Sequence, residues 1–420
     1  MKTIIKNIKE IIGVSLNEKN ELKKGKKLNE TSIIQNGWIT IEDGLIVDFG
    51  TMHDWPGLDN WNTTTIIDAD NGYVLPSWCD SHTHLVFSGS RENEFVDRIN
   101  GLSYEEIAHN GGGILNSAQL LSQTSEDDLY NQSKVRVEEV IRMGTGALEI
   151  KSGYGLNIND EIKMLHVIQK IKNNYPIEIK STFLGAHAVP KQISKSKYIS
   201  IIINEMIPEI AKQKIADYID VFCDTGFFTP KETEKILEAG LKYNLKPKIH
   251  ANELDFSGGI EVGVKMNAVS VDHLECTSEK QIDLLKNSNT IPTLLPGTAF
   301  FLGLEYPPAK KMIQSNLPIA LASDYNPGSC PSGNMAFMIS LACIKMKMNP
   351  IEAINAATIN GAHAMELENQ LGSIKRGKKA NLIITKNIPS INFIPYCIGR
   401  NIVNKVIING KVYYDSETNY

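Results

Sequence analysis

From Tyr73 to about residue 324, and most regularly from Gly146, the chain repeats one unit: a short apolar run rich in β-branched residues, a polar residue at its end, a loop, and a segment with helix signals. Strands that alternate with helices pair in parallel, because each helical crossover returns the chain to start the next strand in the same direction. The runs lie at 73–84, 146–152, 177–187, 218–224, 246–250, 268–273, 290–296 and 318–324. Thr229, Pro230 and Glu232 offer an N-cap, a first-turn proline and a capping-box acid to one intervening helix, and Ser278 with Gln281 does the same for another. Eight units of this kind predict an α/β fold, a (β/α)8 TIM barrel over residues 75–371, with an open doubly wound sheet as the alternative.

The two ends do not follow that pattern. Residues 1–74 contain GWITIEDGLIVDFG, and residues 372–420 contain NIVNKVIINGKVYYD, both alternating segments broken by Asp-Gly or Asn-Gly in the manner of hairpins. Neither end has enough strands to be stable alone, so the two are expected to combine into one small β-sandwich domain.

Barrels of this type place their chemistry where the strands end. The ends of the eight runs carry His82 and His84, Lys151, His187, Asp224, His250, His273 and Asp324, and so hold five of the nine histidines in the chain. Within DSHTHLVF, residues 80–87, an extended backbone points His82 and His84 to the same side and Thr83 to the other. A histidine pair on a strand reads equally well as hydrogen-bonded core, and clustering of the others at strand ends tips the reading to a metal. Three neutral imidazoles and one carboxylate are what a divalent transition metal takes from a protein, which assigns His82, His84, His250 and Asp324 as ligands. An N-cap or ion-pair role is the plainer reading for Asp324. Glu253, three residues beyond His250, is placed to carry protons beside a metal-activated water.

Bulk composition narrows the partner. A net charge of -5 leaves no basic excess for a phosphate backbone, so a small molecule is expected and nucleic acid is not. The six cysteines form no CxxC pair, which fits free thiols in a reducing compartment and a cytoplasmic location. Residues 1–16 interleave lysines with isoleucines and do not resemble a signal peptide, and no run approaches the roughly 18 apolar residues of a membrane span.

The ordered set of ligand candidates resembles the amidohydrolase superfamily. The longer strings HTHLVFSGSRENEF, GGGI, EIKSGYGL, LGAHAVP, HANEL, DHLE, LLPGTAFFLG, ASDYNPGS and NMAFMISLACIKMKMNPIEAINAATING are similar to the imidazolonepropionase family within it. They run from about residue 75 to 375, and the β-rich ends suit the family too. The resemblance implies one zinc or iron ion per chain on His82, His84, His250 and Asp324. It implies substrate contacts from Arg91, Tyr154, His187, Glu253, Asn326, Gly328 and Ser329, with His273 close to the reacting carbonyl. The implied reaction is hydrolysis of the ring amide of 4-imidazolone-5-propanoate to N-formimidoyl-L-glutamate by a metal-activated water, with His273, Glu253 and Asp324 as the catalytic residues. Two-metal subfamilies bridge their ions with a modified lysine at the end of strand four; here that run ends in Phe222, Cys223 and Asp224, which favours one ion.

Arg91 and Tyr154 have plainer readings, a surface ion pair and a packing aromatic. Against these, a propanoate group needs a fixed cation and hydroxyl donors. A hydrolytic deaminase of purines or pyrimidines would use the same ligands without a carboxylate site, and a non-catalytic barrel scaffold would be expected to have lost some of them. The expected assembly is a homodimer. The Gly111–Gly113 run reads as a hinge for a covering loop or as a flexible turn.

Overall fold

The computed structural model describes residues 2–16, 21–57, 63–102, 106–107 and 112–418. Eight parallel strands follow one another around a barrel: β1 (Trp78–Thr83), β2 (Thr145–Lys151), β3 (Glu178–Ala186), β4 (Tyr218–Cys223), β5 (Lys246–Ala251), β6 (Ser270–His273), β7 (Ile291–Leu294) and β8 (Ala320–Leu321). Each pairs with its sequence neighbours in parallel, with helices in the crossovers between them. The ring closes just beyond β8, where the Asp324 amide donates to the His82 carbonyl (3.0 Å) and the His84 amide to the Tyr325 carbonyl (2.9 Å). Three of the residues singled out as ligands therefore sit on the seam of the barrel.

Both expected helix starts are present. Thr229 and Glu232 form a reciprocal capping box on Pro230–Leu241, and Ser278 and Gln281 form another on Glu279–Lys286. Between β3 and β4, Lys195–Ile201 and Ile207–Gln213 are joined through a π turn at Ile202–Met206. Pro208, which lacks an amide hydrogen, stands just after that turn.

The chain ends build one mixed sheet, ordered 411–415, 403–408, 382–385, 73–76, 2–14, 32–42, 45–51, with 64–68 also paired to 2–14. The strand Lys2–Val14 changes neighbours along its length: residues 2–6 pair with 64–68, and Glu10 and Ile11 pair with Tyr73 and Val74. The change falls at Asn7, whose φ of 54° breaks the register. Ile5, Ile39, Ile67, Leu382, Ile384 and Ile407 pack into one buried cluster, so the arms of this sheet share a core. Both hairpin turns have two successive residues of positive φ, Asp43-Gly44 and Asn409-Gly410, as tight turns between right-twisted strands demand.

One strand expectation is corrected. The run 73–84 is not one strand: Tyr73–Pro76 belongs to the terminal sheet and Trp78–Thr83 to the barrel. The chain passes from one sheet to the other at Ser77, just after Pro76, and the Ser77 amide donates to the Asn381 carbonyl. All six cysteines are free, and no helix among the described residues is long and apolar enough to cross a membrane.

Candidate metal centre and active site

At the C-terminal end of the barrel, Nε2 of His84 lies 3.3 Å from Nε2 of His82 and 3.2 Å from Nε2 of His250. Oδ1 of Asp324 is 3.5 Å from both His82 and His84. Bonds of roughly 2.0 to 2.1 Å at tetrahedral angles set neighbouring ligand atoms about 3.3 to 3.4 Å apart, close to these four separations, and the ligand atoms of His82, His84 and His250 all lie within 4.8 Å of one another.

The back of each ligand fixes which atom faces the centre. Nδ1 of His82 is 2.7 Å from Oδ2 of Asp272, and Nδ1 of His250 is 2.9 Å from Oδ2 of Asp220. With its Nδ1 proton given to Asp272, His82 turns its Nε2 lone pair inward, where the Nε2 atoms of His84 and His250 also crowd together. Oδ2 of Asp324 accepts from Thr298 Oγ1 (2.5 Å) and Ser329 Oγ (3.1 Å), which leaves Oδ1 for the centre. Burial, helped by the charge on Lys151, holds the His82 imidazole well below its ordinary pKa, and burial does the same for His84, so both are in the neutral form that binds metal. The donor set fits a divalent metal ion.

Beneath the ligands lies a fully buried charge network. Lys151 Nζ sits 2.5 Å from Glu149, 2.9 Å from Asp220 and 3.6 Å from Asp272, while Lys248 also bonds Glu149. Burial alone would lower the Lys151 ammonium, but Asp220 and Glu149 outweigh it and hold it above its ordinary range. Asp220 and Asp272 are thus tied to one cation and each faces a ligand histidine.

Above the ligands is a cavity of about 80 Å³. It is lined by Arg91, Tyr154, His187, Glu253, His273, Asn326, Gly328 and Ser329 together with His84, His250 and Asp324, so the residues gathered from six strand ends and from the loop after β1 share one space. His82 lies below this lining. His273 Nδ1 faces Glu253 at 3.6 Å, and His273 also comes within ligand reach of His82 and Asp324. Burial, then the charges on Asp324 and Asp224, raise the Glu253 carboxyl well above its ordinary value. Asp224, left without a role by its position at a strand end, accepts from the amides of Glu253 (2.8 Å) and Leu254 (2.9 Å) and so fixes the loop that presents Glu253.

Arg91 is in an ion pair, as its plainer reading holds, but a buried one. Its Nε and Nη2 lie 2.8 and 2.7 Å from Oε2 of Glu94, inside the cavity wall. A Cβ at Gly328 would fall 2.0 Å from Nη1 of Arg91, so any side chain there would have to displace the guanidinium. Asn326 holds its own turn: its Oδ1 accepts from the amides of Gly328 (2.7 Å) and Ser329 (2.8 Å), and its Nδ2 donates to the Asp324 carbonyl. On the opposite side, Glu161 accepts from the amides of Gly153, Gly155 and Leu156, and His187 Nδ1 donates to the Gly153 carbonyl at 3.0 Å. Burial pushes His187 down to about 3, which keeps it neutral beside Tyr154.

Several of these residues escaped sequence reasoning: Asp220, Asp272, Glu149, Lys248, Glu161, Thr298 and the cavity-lining Arg98. Glu149 with Lys151, and Lys248 with His250, do alternate along their strands, the one signal that could have placed them inside the barrel. Of the Gly111–Gly113 run, Gly111 lies outside the described residues, and the Gly113 amide donates to Glu94 at 3.0 Å.

A profile of the Amidohydrolase family matches residues 73–413. The chain is 55% identical over 414 residues to an imidazolonepropionase of Flavobacterium johnsoniae, covering 98% of this chain and 100% of the relative. It is 52% identical over 415 residues to an imidazolonepropionase of Christiangramia forsetii, again over 98% and 100%. Among solved structures it resembles guanine deaminase of E. coli, with a TM-score of 0.75 at 13% identity over 99% of both chains, a likeness of fold.

Proposed function

Since the chain belongs to the amidohydrolase family, and within it to the imidazolonepropionases, we propose that it hydrolyses the ring amide of 4-imidazolone-5-propanoate to N-formimidoyl-L-glutamate, a step of histidine degradation. The observation that carries this reading is the meeting of a buried histidine and aspartate donor set with a cavity wall bearing Arg91. The first suits water activation and the second suits a substrate carboxylate.

One divalent ion, zinc or iron, would be held by His82, His84, His250 and Asp324. When bound, it supplies Lewis acidity that makes water nucleophilic at neutral pH. Asp324 takes the proton of the attacking water as its oxygen bonds to the ring carbonyl carbon. His273, above the ligands, donates to the carbonyl oxygen as it gains charge. Glu253, kept protonated by burial and by its acidic neighbours, gives its proton to the ring nitrogen as the carbon–nitrogen bond breaks. Arg91, Tyr154 and Ser329 orient the propanoate and ring, Gly328 leaves room for Arg91, and Asn326 and His187 brace the two sides of the cavity. The working assembly is a homodimer in the cytoplasm.

The deaminase reading would use the same donor set on the same fold, but gives Arg91 no substrate to meet. Elemental analysis of protein purified without added metal tests the centre. One zinc or iron per chain is expected, and a stoichiometry near two, or full turnover after chelation and dialysis, contradicts it.

A further inference from the structure

Glu275 follows His273 by two residues on a stretch with unusual backbone. His273 and Leu274 have φ of 84° and 73°, and two consecutive non-glycine residues in the left-handed region persist only where the surroundings hold them. Those surroundings are visible. The Leu274 amide donates to the Ala251 carbonyl (3.1 Å), the Cys276 amide to the Asn252 carbonyl (2.9 Å), and Asn252 Nδ2 to the Cys276 carbonyl (2.8 Å). Residues 274–276 are therefore laced to the segment that carries Glu253.

This lacing puts the Glu275 carboxyl behind the His273 ring, with Oε2 3.8 Å from Nδ1, slightly beyond a hydrogen bond. The side chain is buried and does not line the cavity. Neither of its oxygens has a hydrogen-bond partner among the described residues, and neither ring nitrogen of His273 has one. Buried polar atoms are nearly always paired, so two orphans facing each other mark a contact with a purpose. Among the described residues no lysine or arginine pairs with Glu275; Glu253, Asp324 and Asp224 act on it instead, and burial together with Glu253 raises its carboxyl well above the ordinary range.

We propose that Glu275 is the positioning residue of His273: its neutral carboxyl donates its O–H to Nδ1 and so fixes the tautomer that carries its hydrogen on Nε2, the donor the developing oxyanion needs. Glu253 also faces Nδ1, at 3.6 Å, but it lines the cavity and is drawn to the substrate nitrogen during the reaction. Glu275 is the partner that stays.

The inference rests on the proposed role of His273, and two measurements separate the fate of each. In turnover of imidazolone propanoate, Glu275→Leu is expected to lower kcat about tenfold, the worth of one such hydrogen bond, with KM within twofold. Glu275→Gln, which can still donate, recovers most of that loss, and in a His273→Ala background Glu275→Leu costs nothing further. Losses that multiply in the double variant, or a Gln variant as slow as Leu, overturn the proposal. Should the Leu variant fail to fold, the Gln variant with near-native kcat still decides between a neutral donor and a charged carboxylate. Independently of any substrate, nitrogen-15 spectra of the metal-loaded protein should show His273 protonated at Nε2. Protonation at Nδ1 sinks the proposal, whereas the expected spectrum in a protein inert toward imidazolone propanoate sinks only the functional reading.

Discussion

Nδ1 of His82 and Oδ2 of Asp272 lie 2.7 Å apart across the barrel interior, joining β1 to β6 directly beneath the donor set. This contact sets the direction of the inward nitrogen, and the tie between Asp272 and Lys151 sets the direction of the contact. Asp272→Asn should weaken metal binding roughly 10- to 100-fold in a chelator competition while the far-ultraviolet spectrum is unchanged. Unaltered affinity would mean that the ring is aimed by packing alone.

Arg91 tests the carboxylate site. Arg91→Met should raise KM for imidazolone propanoate by roughly one to two powers of ten, since each charge-assisted hydrogen bond is worth about 1.5 to 3 kcal/mol. The same change leaves Glu94 buried without its cation, so Tm should fall as well. Pairing it with Glu94→Gln should restore Tm but not KM. For an analogue with an amide in place of the carboxylate the KM defect should largely vanish, and equal defects on acid and amide would make Arg91 a residue of the fold alone.

Gly328 gives a second view of that wall. Gly328→Ala places a methyl where Arg91 Nη1 lies, so the guanidinium must move. Titration with a carboxylate-bearing, non-hydrolysable imidazole should show affinity reduced about tenfold or more with metal content unchanged; native affinity would show that Arg91 has room to shift without loss.

His273→Ala should keep its metal and its fold and lose about 100-fold in kcat, because removing one oxyanion donor costs roughly 3 kcal/mol in the barrier. Metal analysis of the variant is the check. Loss of the ion would make His273 a ligand, which its approach to His82 and Asp324 makes a real alternative to exclude.

What the sequence made legible follows from how barrels are built. A strand end is announced by a β-branched run followed by a polar residue, so His82, His84, His250, His273 and Asp324 could be read as neighbours although up to 242 positions separate them. Asp220 and Asp272 stayed hidden because a charged residue inside a strand looks like the polar half of an ordinary alternation, and only the ring of eight strands brings both to Lys151. Glu161 lies in the first turn of Ile158–Asn174, where an acid needs no explanation beyond the helix dipole, yet its carboxylate is turned back onto the loop of Tyr154. The passage between sheets at Ser77 was illegible for another reason: both sides are extended and apolar, and which sheet each side joins is decided by pairing partners distant in sequence, near Leu382 for Pro76 and near Thr145 for Trp78.

The most direct measurement follows ultraviolet absorbance while purified, metal-replete protein is incubated separately with freshly made imidazolone propanoate, guanine and adenosine. The account predicts rapid loss of the imidazolone absorbance with formation of N-formimidoyl-L-glutamate, abolished by chelation, and no change with either purine. Turnover of guanine or adenosine with imidazolone propanoate left intact would contradict it.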